Sequence, residues 1–509
     1  MADYTPTIPD ALAGRIRYQD SRFHASQELK GNLILDALFA EYTEKTGASI
    51  IPCDWYSPAD YEQSFGIRYA HDGLNTGAAG EQSWVDRLLY DLLTRALEKK
   101  ATDIHVSYMG PYTQINFRRL GRVIPEMTLN GEEGIQFIRG IFQGQYSHAE
   151  SGFTEHERYD GRIADHKFLP PDLFAVRLHT EPLESPHIYE PGVSLSMRLF
   201  YDTTSATGTL KERLGSLGYT PEQQNLIHGF TERSGLTLIS GPTGSGKTTT
   251  LKNILEALTQ YVPTKNYYSL DDPPEYTLLG VKQLKVFTKA ASDAERLSAL
   301  LNALAGLMRS DPDVIMLGEI RYEEAASSAI QAALTGHSVY STVHASSAIG
   351  IIARLHEMGI PLESICTDRV LNGLIYQRLI PHLCPECKQK LTDNLKLLSP
   401  ELTARLKKIY RGNLDGIFIK GKGCPHCLDM GLVGQQVAAE TISCADRKLI
   451  SYFRENKLYE AQRYWMNECG GKTHVEQALE RISSGLVDPI IAEERLGVTL
   501  DHDFAYREA

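Results

Sequence analysis

Apolar residues recur at three- and four-residue spacing in Val85, Leu88, Leu89, Leu92, Leu93, Ala96 and Leu97, which predicts an amphipathic helix. An earlier apolar-rich face of Leu33, Leu35, Ala37, Leu38 and Phe39 predicts another over 31–42. Short segments at 103–106, 114–117 and 174–178 read as strands between polar and Gly/Pro turns, giving a compact α+β domain up to about residue 200. From Leu210 to about Leu383, apolar strands alternate with amphipathic helices, the pattern of an α/β domain on a mainly parallel sheet. The remainder reads as mostly helical, with one helix near 402–410. Two stretches, 71–80 and 202–209, are small, polar and turn-prone, and read as linkers. The cuts give a region 1–80 suited to docking a partner, a domain 81–201, a linker 202–209, a domain 210–383 and a region 384–509.

Composition sets outer limits. The 509 residues are 42% hydrophobic and 23% charged, which excludes a disordered or collagenous chain and suits about three domains at roughly 150 residues each. Lys and Arg number 52 against 64 Asp and Glu, a net charge of −12, which disfavours wrapping nucleic acid. The first residues, Met1 to Pro6, carry no basic and apolar leader pattern, and no apolar run approaches the ~18 residues that span a bilayer. The expectation is a cytoplasmic protein whose membrane work goes through a partner. In a reducing compartment its eight cysteines should not form a disulfide framework, and Cys53, Cys366, Cys444 and Cys469 are expected to be buried thiols.

Chemistry enters with the strand 236–240, followed at once by Gly241, Pro242, Thr243, Gly244, Ser245, Gly246, Lys247 and Thr248, and then by a helix opening at Thr249. This GxxxxGK[ST] loop lets backbone N–H groups converge on phosphate oxygens at a helix N-terminus. Lys247 can reach the β- and γ-phosphates and the Thr248 hydroxyl can ligate Mg²⁺, so the expected ligand is ATP with Mg²⁺. A second apolar strand, 313–319, ends in Glu319; a third, from Tyr267, leads to clustered carboxylates at Asp271, Asp272 and Glu275, one of which could activate a water. Taken alone, such acids are often a solvated loop. His337 and His344 flank a strand expected over 338–343.

Two CxxC knuckles, Cys384/Cys387 and Cys424/Cys427, offer four thiolates for a closed tetrahedral Zn²⁺ site of structural kind. A redox dithiol is the runner-up. The spacer between the knuckles is long, but the helix near 402–410 can fill it.

In this order the segments resemble the secretion ATPase superfamily that powers type II secretion and type IV pilus assembly. The likeness rests on the P-loop, the acidic box ending Asp272-Pro273-Pro274-Glu275, the box from Arg309 to Arg321, and the histidine box from Thr335 to His344. Arg354, Leu355, Met358 and Gly359, then Gln377, Arg378 and Leu379, extend it. The resemblance implies a RecA-like P-loop domain preceded by a PAS-like domain, with Glu275 as general base, Glu319 as Walker B acid and His344 as γ-phosphate contact. It also implies arginines from the preceding domain reaching the nucleotide, and Arg162 and Arg177 stand at family-like positions. The implied protein is a homo-hexameric motor working with an inner-membrane platform protein and a cytoplasmic adaptor, without nucleic acid or membrane insertion. Tetracysteine elements go with assembly rather than retraction in this family. Departures at Asp271, Pro274 and Tyr322 suggest a divergent branch, such as a plasmid-type or type IVb pilus system. Rival readings are a retraction motor, a nucleic-acid translocase and an adaptor that binds ATP without turning it over.

Overall fold

The computed structural model of the chain describes residues 6, 8, 12, 16–19, 22–26, 29, 33–46, 51, 53–56, 78–143, 153–184, 192–201, 208–271, 274, 276–286 and 293–507. It divides into two compact units, Met1–Tyr201 and Asp202–Ala509.

In the first unit, β1 (Ile16–Gln19) pairs antiparallel with β2 (Arg22–Ser26), which pairs parallel with β3 (Cys53–Tyr56). Phe23 and Ala25 pack with Leu35, Leu38 and Tyr42 of the helix Leu33–Thr46. A second, six-stranded sheet contains β4 (Asp103–Tyr108), β5 (Tyr112–Arg119), β6 (Arg122–Asn130), β7 (Asp160–Ile163), β8 (Leu173–Leu183) and β9 (Gly192–Tyr201). Its order is β6-β5-β4-β9-β8-β7, antiparallel throughout. Alternation sorts its faces. Ile104, Val106, Ile115, Phe117, Leu195 and Met197 join a core with Val85, Leu89, Leu92 and Leu93 of the helix Ala78–Glu98 and Phe137, Ile138 and Ile141 of the helix Gly131–Gln143. The intervening Asp103, His105, Asn116, Ser196 and Arg198 stand on the other face. The first helix begins inside the stretch expected as a linker: residues 78–80 are helical, while 71–77 lie outside the described residues. Ala78 and Ala79 are small, yet alanine is also the best helix former.

The second unit is built on β10 (Gly235–Ser240), β11 (Tyr267–Asp271), β12 (Lys282–Lys285), β13 (Val314–Glu319), β14 (Ser338–Val343), β15 (Leu371–Leu383) and β18 (Leu432–Ser443); β16 (Gln389–Lys390) and β17 (Phe418–Ile419) form a separate ribbon. The seven-stranded order is β12-β11-β13-β14-β10-β15-β18. The first six run parallel and β18 lies antiparallel on β15. Two apolar clusters of this unit take alternate strand residues: Leu236, Leu238, Ile315 and Val339 join one, Ile239, Val314, Met316 and Tyr340 the other. The strand β18 was expected to be part of a helical region. Val437, Ala438 and Ala439 fit either structure, and only long-range pairing with β15 settles it. Thr209, placed in the linker by composition, is the N-cap of the helix Leu210–Leu217, sharing a capping box with Glu212. Among the described residues no helix is long and apolar enough to cross a membrane.

Candidate functional site

Open parallel sheets collect their chemistry at the carboxyl ends of the strands. Here Ser240, the last residue of β10, is flanked in register by Val343 of β14 and Tyr376 of β15. The P-loop follows immediately. Gly241 has φ of 146°, and a Cβ there would stand 2.3 Å from the Gln377 carbonyl oxygen, so the close strand requires glycine. Gly246 has φ of 84° and starts the helix Lys247–Tyr261 without a side-chain cap, leaving the first backbone N–H groups for an anion. The Lys247 ammonium donates to the carbonyls of Gly241 at 2.9 Å and Pro242 at 3.3 Å. Thr243 and Gly244 are exposed at the loop tip, Thr248 and Thr249 are half-buried, and Ser245 is buried with its Oγ unpaired among the described residues.

Behind the loop stands a side chain singled out by sequence only as part of a resemblance. Gln377 is fully buried, donates from Nε2 to the Ser245 carbonyl at 2.6 Å, and accepts from Tyr219 at 2.7 Å and Thr250 at 3.0 Å.

Glu319 closes β13 and His344 follows β14, and strand adjacency brings them together: Glu319 Oε1 lies 2.9 Å from His344 Nε2. The other oxygen, Oε2, accepts from Arg321 at 2.6 and 2.8 Å, and this hydrogen bond holds the guanidinium's pKa above its usual value. Thr342 Oγ1 donates to the Gly318 carbonyl at 2.7 Å, stitching the two strand ends. These groups face a cleft of about 300 Å³ lined by Glu319, Ile320, Arg321, His344, Arg354 and Met358. Asp271 abuts Gly318 so closely that a Cβ there would meet its Oδ1 at 2.1 Å. Asp272 and Glu275 lie outside the described residues. His337 sits at the opposite end of β14, its Nδ1 2.9 Å from the Ala332 carbonyl, away from the cleft.

In the first unit, Arg162, Arg177 and Arg198 stand side by side on β7, β8 and β9. Adjacent like charges on a sheet are unfavourable without an anion. Arg198 has one, Asp103, at 3.0 Å. Arg177 is exposed; Arg162 is half-buried, lies 5.2 Å over the Phe174 ring, and has an Nε unpaired among the described residues. Burial pushes its pKa down.

The four knuckle cysteines converge, with all four Sγ atoms within 4.8 Å of one another. Sγ separations are 3.7 Å for Cys384–Cys424, 3.9 Å for Cys387–Cys427 and 3.7 Å for Cys424–Cys427. Sulfurs about 2.3 Å from a tetrahedral Zn²⁺ stand about 3.8 Å apart, so the set fits that ion. Burial opposes ionisation of Cys427, but N–H groups of Cys424 and Gly431 point at its sulfur and, with the neighbouring thiols, pull the thiol down to about 7. Burial and the neighbouring thiols push Cys387 up. Of the other thiols, Cys366 and Cys444 are buried, whereas Cys53 is half-buried and Cys469 is exposed, contrary to expectation. Cys469 lies just past the end of the helix Leu458–Asn467, where no core covers it.

Residues 78–495 match the family model described as Type II/IV secretion system protein. The type II secretion system protein E of Klebsiella pneumoniae is 32% identical over 375 residues, covering 73% of this chain and 68% of that protein. The type IV pilus assembly ATPase PilB of Thermus thermophilus is 28% identical over 447 residues, covering 83% of this chain and 46% of that protein. Among solved structures, the ATPase DotB of Legionella pneumophila superposes with a TM-score of 0.56 at 18% identity, over 83% of this chain and 97% of that one, which shows a shared fold. With a family match that spans most of its length, the chain belongs to the type II/IV secretion system protein family.

Proposed function

We propose that the chain is an ATP-hydrolysing motor that powers type IV pilus assembly or type II secretion. The observation that carries this reading is the Glu319–His344 contact of 2.9 Å at the strand ends beside the P-loop. Lys247 and the first backbone N–H groups of its helix would hold the β- and γ-phosphates. Mg²⁺, held by Thr248, would neutralise phosphate charge. His344 would feel the γ-phosphate and pass its presence to Glu319, and Glu275 would take the proton from the attacking water. Residues 210–383 then serve as the RecA-like engine and residues 81–201 as a PAS-like domain.

The row of Arg162 and Arg177 suits a nucleotide held at an interface between copies, which supports a hexameric ring. A ring of this kind converts hydrolysis into rigid-body movement of one unit against another. It would act from the cytoplasm on an inner-membrane platform protein and a cytoplasmic adaptor, with residues 1–80 as a partner-docking region. The tetracysteine cluster, holding Zn²⁺ as a structural ion, favours assembly over retraction. Phosphate release by the purified chain with ATP and Mg²⁺ tests the reading. Lys247→Ala should abolish it, and Glu275→Gln should leave nucleotide binding while removing turnover. Stimulation of hydrolysis by DNA or RNA, with steep salt dependence, would favour a translocase instead.

A further inference from the structure

Glu440 is 2% exposed in the strand β18 and takes no part in the steps above. Removing a carboxylate from water costs several kcal/mol unless donors replace the solvent. Two do so. Its Oε1 lies 2.8 Å from His474 Nδ1, and its Oε2 accepts the backbone N–H of Ala348 at 2.8 Å. His474 opens the helix His474–Ser483, fixed by a capping box of Thr473 and Glu476, and its ring meets Tyr376 edge-on with centroids 4.9 Å apart. One carboxylate thus joins a C-terminal helix, the edge strand and the chain that follows His344.

The sheet register sharpens this. Val343, Ser240, Tyr376 and Glu440 form one row across β14, β10, β15 and β18. His344 follows Val343, the P-loop follows Ser240, and the Gln377 brace follows Tyr376. The loop after β14 is pinned at both ends, by Thr342 on the Gly318 carbonyl and by Ala348 on Glu440.

We propose that Glu440 is a positioning residue that keeps His344 set against Glu319 by holding the far end of its loop, and that His474 makes this hold depend on the C-terminal helical region. The inference rests on the reading of the cleft as an ATP-hydrolysing site. Small displacements of reacting groups lower turnover steeply. Affinity should change little, because Gln377 anchors the P-loop independently of Glu440.

The test uses the full chain as wild type and as Glu440→Ala, Glu440→Gln and His474→Ala. Gln keeps an acceptor for Ala348 and can donate to His474 Nδ1 in its other tautomer. Glu440→Ala is expected to lower kcat about tenfold or more with affinity for an ATP analogue within about twofold, and Glu440→Gln to restore most of the loss. Amide hydrogen exchange should rise across 345–349 in Glu440→Ala and His474→Ala, with the helix 247–261 unchanged. Wild-type kcat and wild-type protection at 345–349 in Glu440→Ala would overturn the proposal. So would a loss that Gln does not rescue, accompanied by faster exchange throughout the unit, which marks a folding defect. Unchanged kcat and exchange in His474→Ala would remove the link to the C-terminal region. If the wild type releases no phosphate, the ATPase reading fails, and the exchange measurement alone decides whether Glu440 holds the loop.

Discussion

Gln377 Nε2 donates to the Ser245 carbonyl at 2.6 Å, so a side chain from β15 fixes the middle of the P-loop. Its carbonyl end simultaneously accepts from Tyr219 and Thr250. Gln377→Ala would take the Nε2 donor from the Ser245 carbonyl, at about 1–3 kcal/mol for a buried group left unpaired, and leave the Tyr219 and Thr250 hydroxyls to pair with each other at 3.3 Å. The expected result is ATP affinity weakened about tenfold or more with a lowered Tm, read by calorimetry and thermal unfolding.

Glu319→Gln should act on turnover rather than on binding. The amide keeps the size of the side chain but loses the charge that meets His344 and Arg321. Phosphate release is expected to fall by about 100-fold or more while nucleotide analogue binding stays within a few fold. Equal loss of both would show that Glu319 serves binding only.

Arg177→Ala and Lys247→Ala should each be inactive alone. If the arginine of one copy serves the P-loop of the next, random 1:1 mixing places an intact pair at about a quarter of the interfaces. Mixed samples should therefore recover phosphate release. Continued silence after mixing, with ring formation demonstrated, would place Arg177 outside the nucleotide site.

The tetracysteine cluster should yield one zinc per chain by elemental analysis. Chelation, or Cys427→Ser, is expected to lower Tm by about 5 °C or more, because binding energy at such a site is folding energy. A metal-free protein of unchanged Tm would remove the ion from the account.

Glu256 offers a test of stability apart from catalysis. It is 2% exposed and lies 3.4 Å from Arg213 and 3.7 Å from Lys252, both equally buried. Glu256→Ala removes the carboxylate that faces the buried Arg213 guanidinium and should destabilise the second unit by about 3–5 kcal/mol, measured by denaturant unfolding.

The α/β alternation after Leu210 is legible in sequence because each strand carries its own apolar run, and 338–343 coincides with β14. The P-loop is legible for the same reason, since its spacing is local. Contacts set by strand order are less so. Glu440 and His474 are 34 residues apart, and nothing near either marks the other; they meet only because β18 returns to pair with β15. Likewise the adjacency of Arg162, Arg177 and Arg198 is a property of register, which single-strand patterns do not carry. A small-residue stretch misled at 78–80, where composition suits a linker and a helix alike.

Leu383 and Leu432 stand opposite each other where β15 and β18 meet, with the whole tetracysteine element strung between them. Geometrically it is an elongated hairpin tip. A two-residue turn could close the same strands without disturbing the register that carries Tyr376 and Glu440. The element is therefore, in topology, an insertion between two paired strands of the seven-stranded sheet. Its removal would open one apolar core, because Leu391, Leu402, Leu406, Leu414 and Ile417 of the element share that core with Val475 and Ile482 of the helix His474–Ser483.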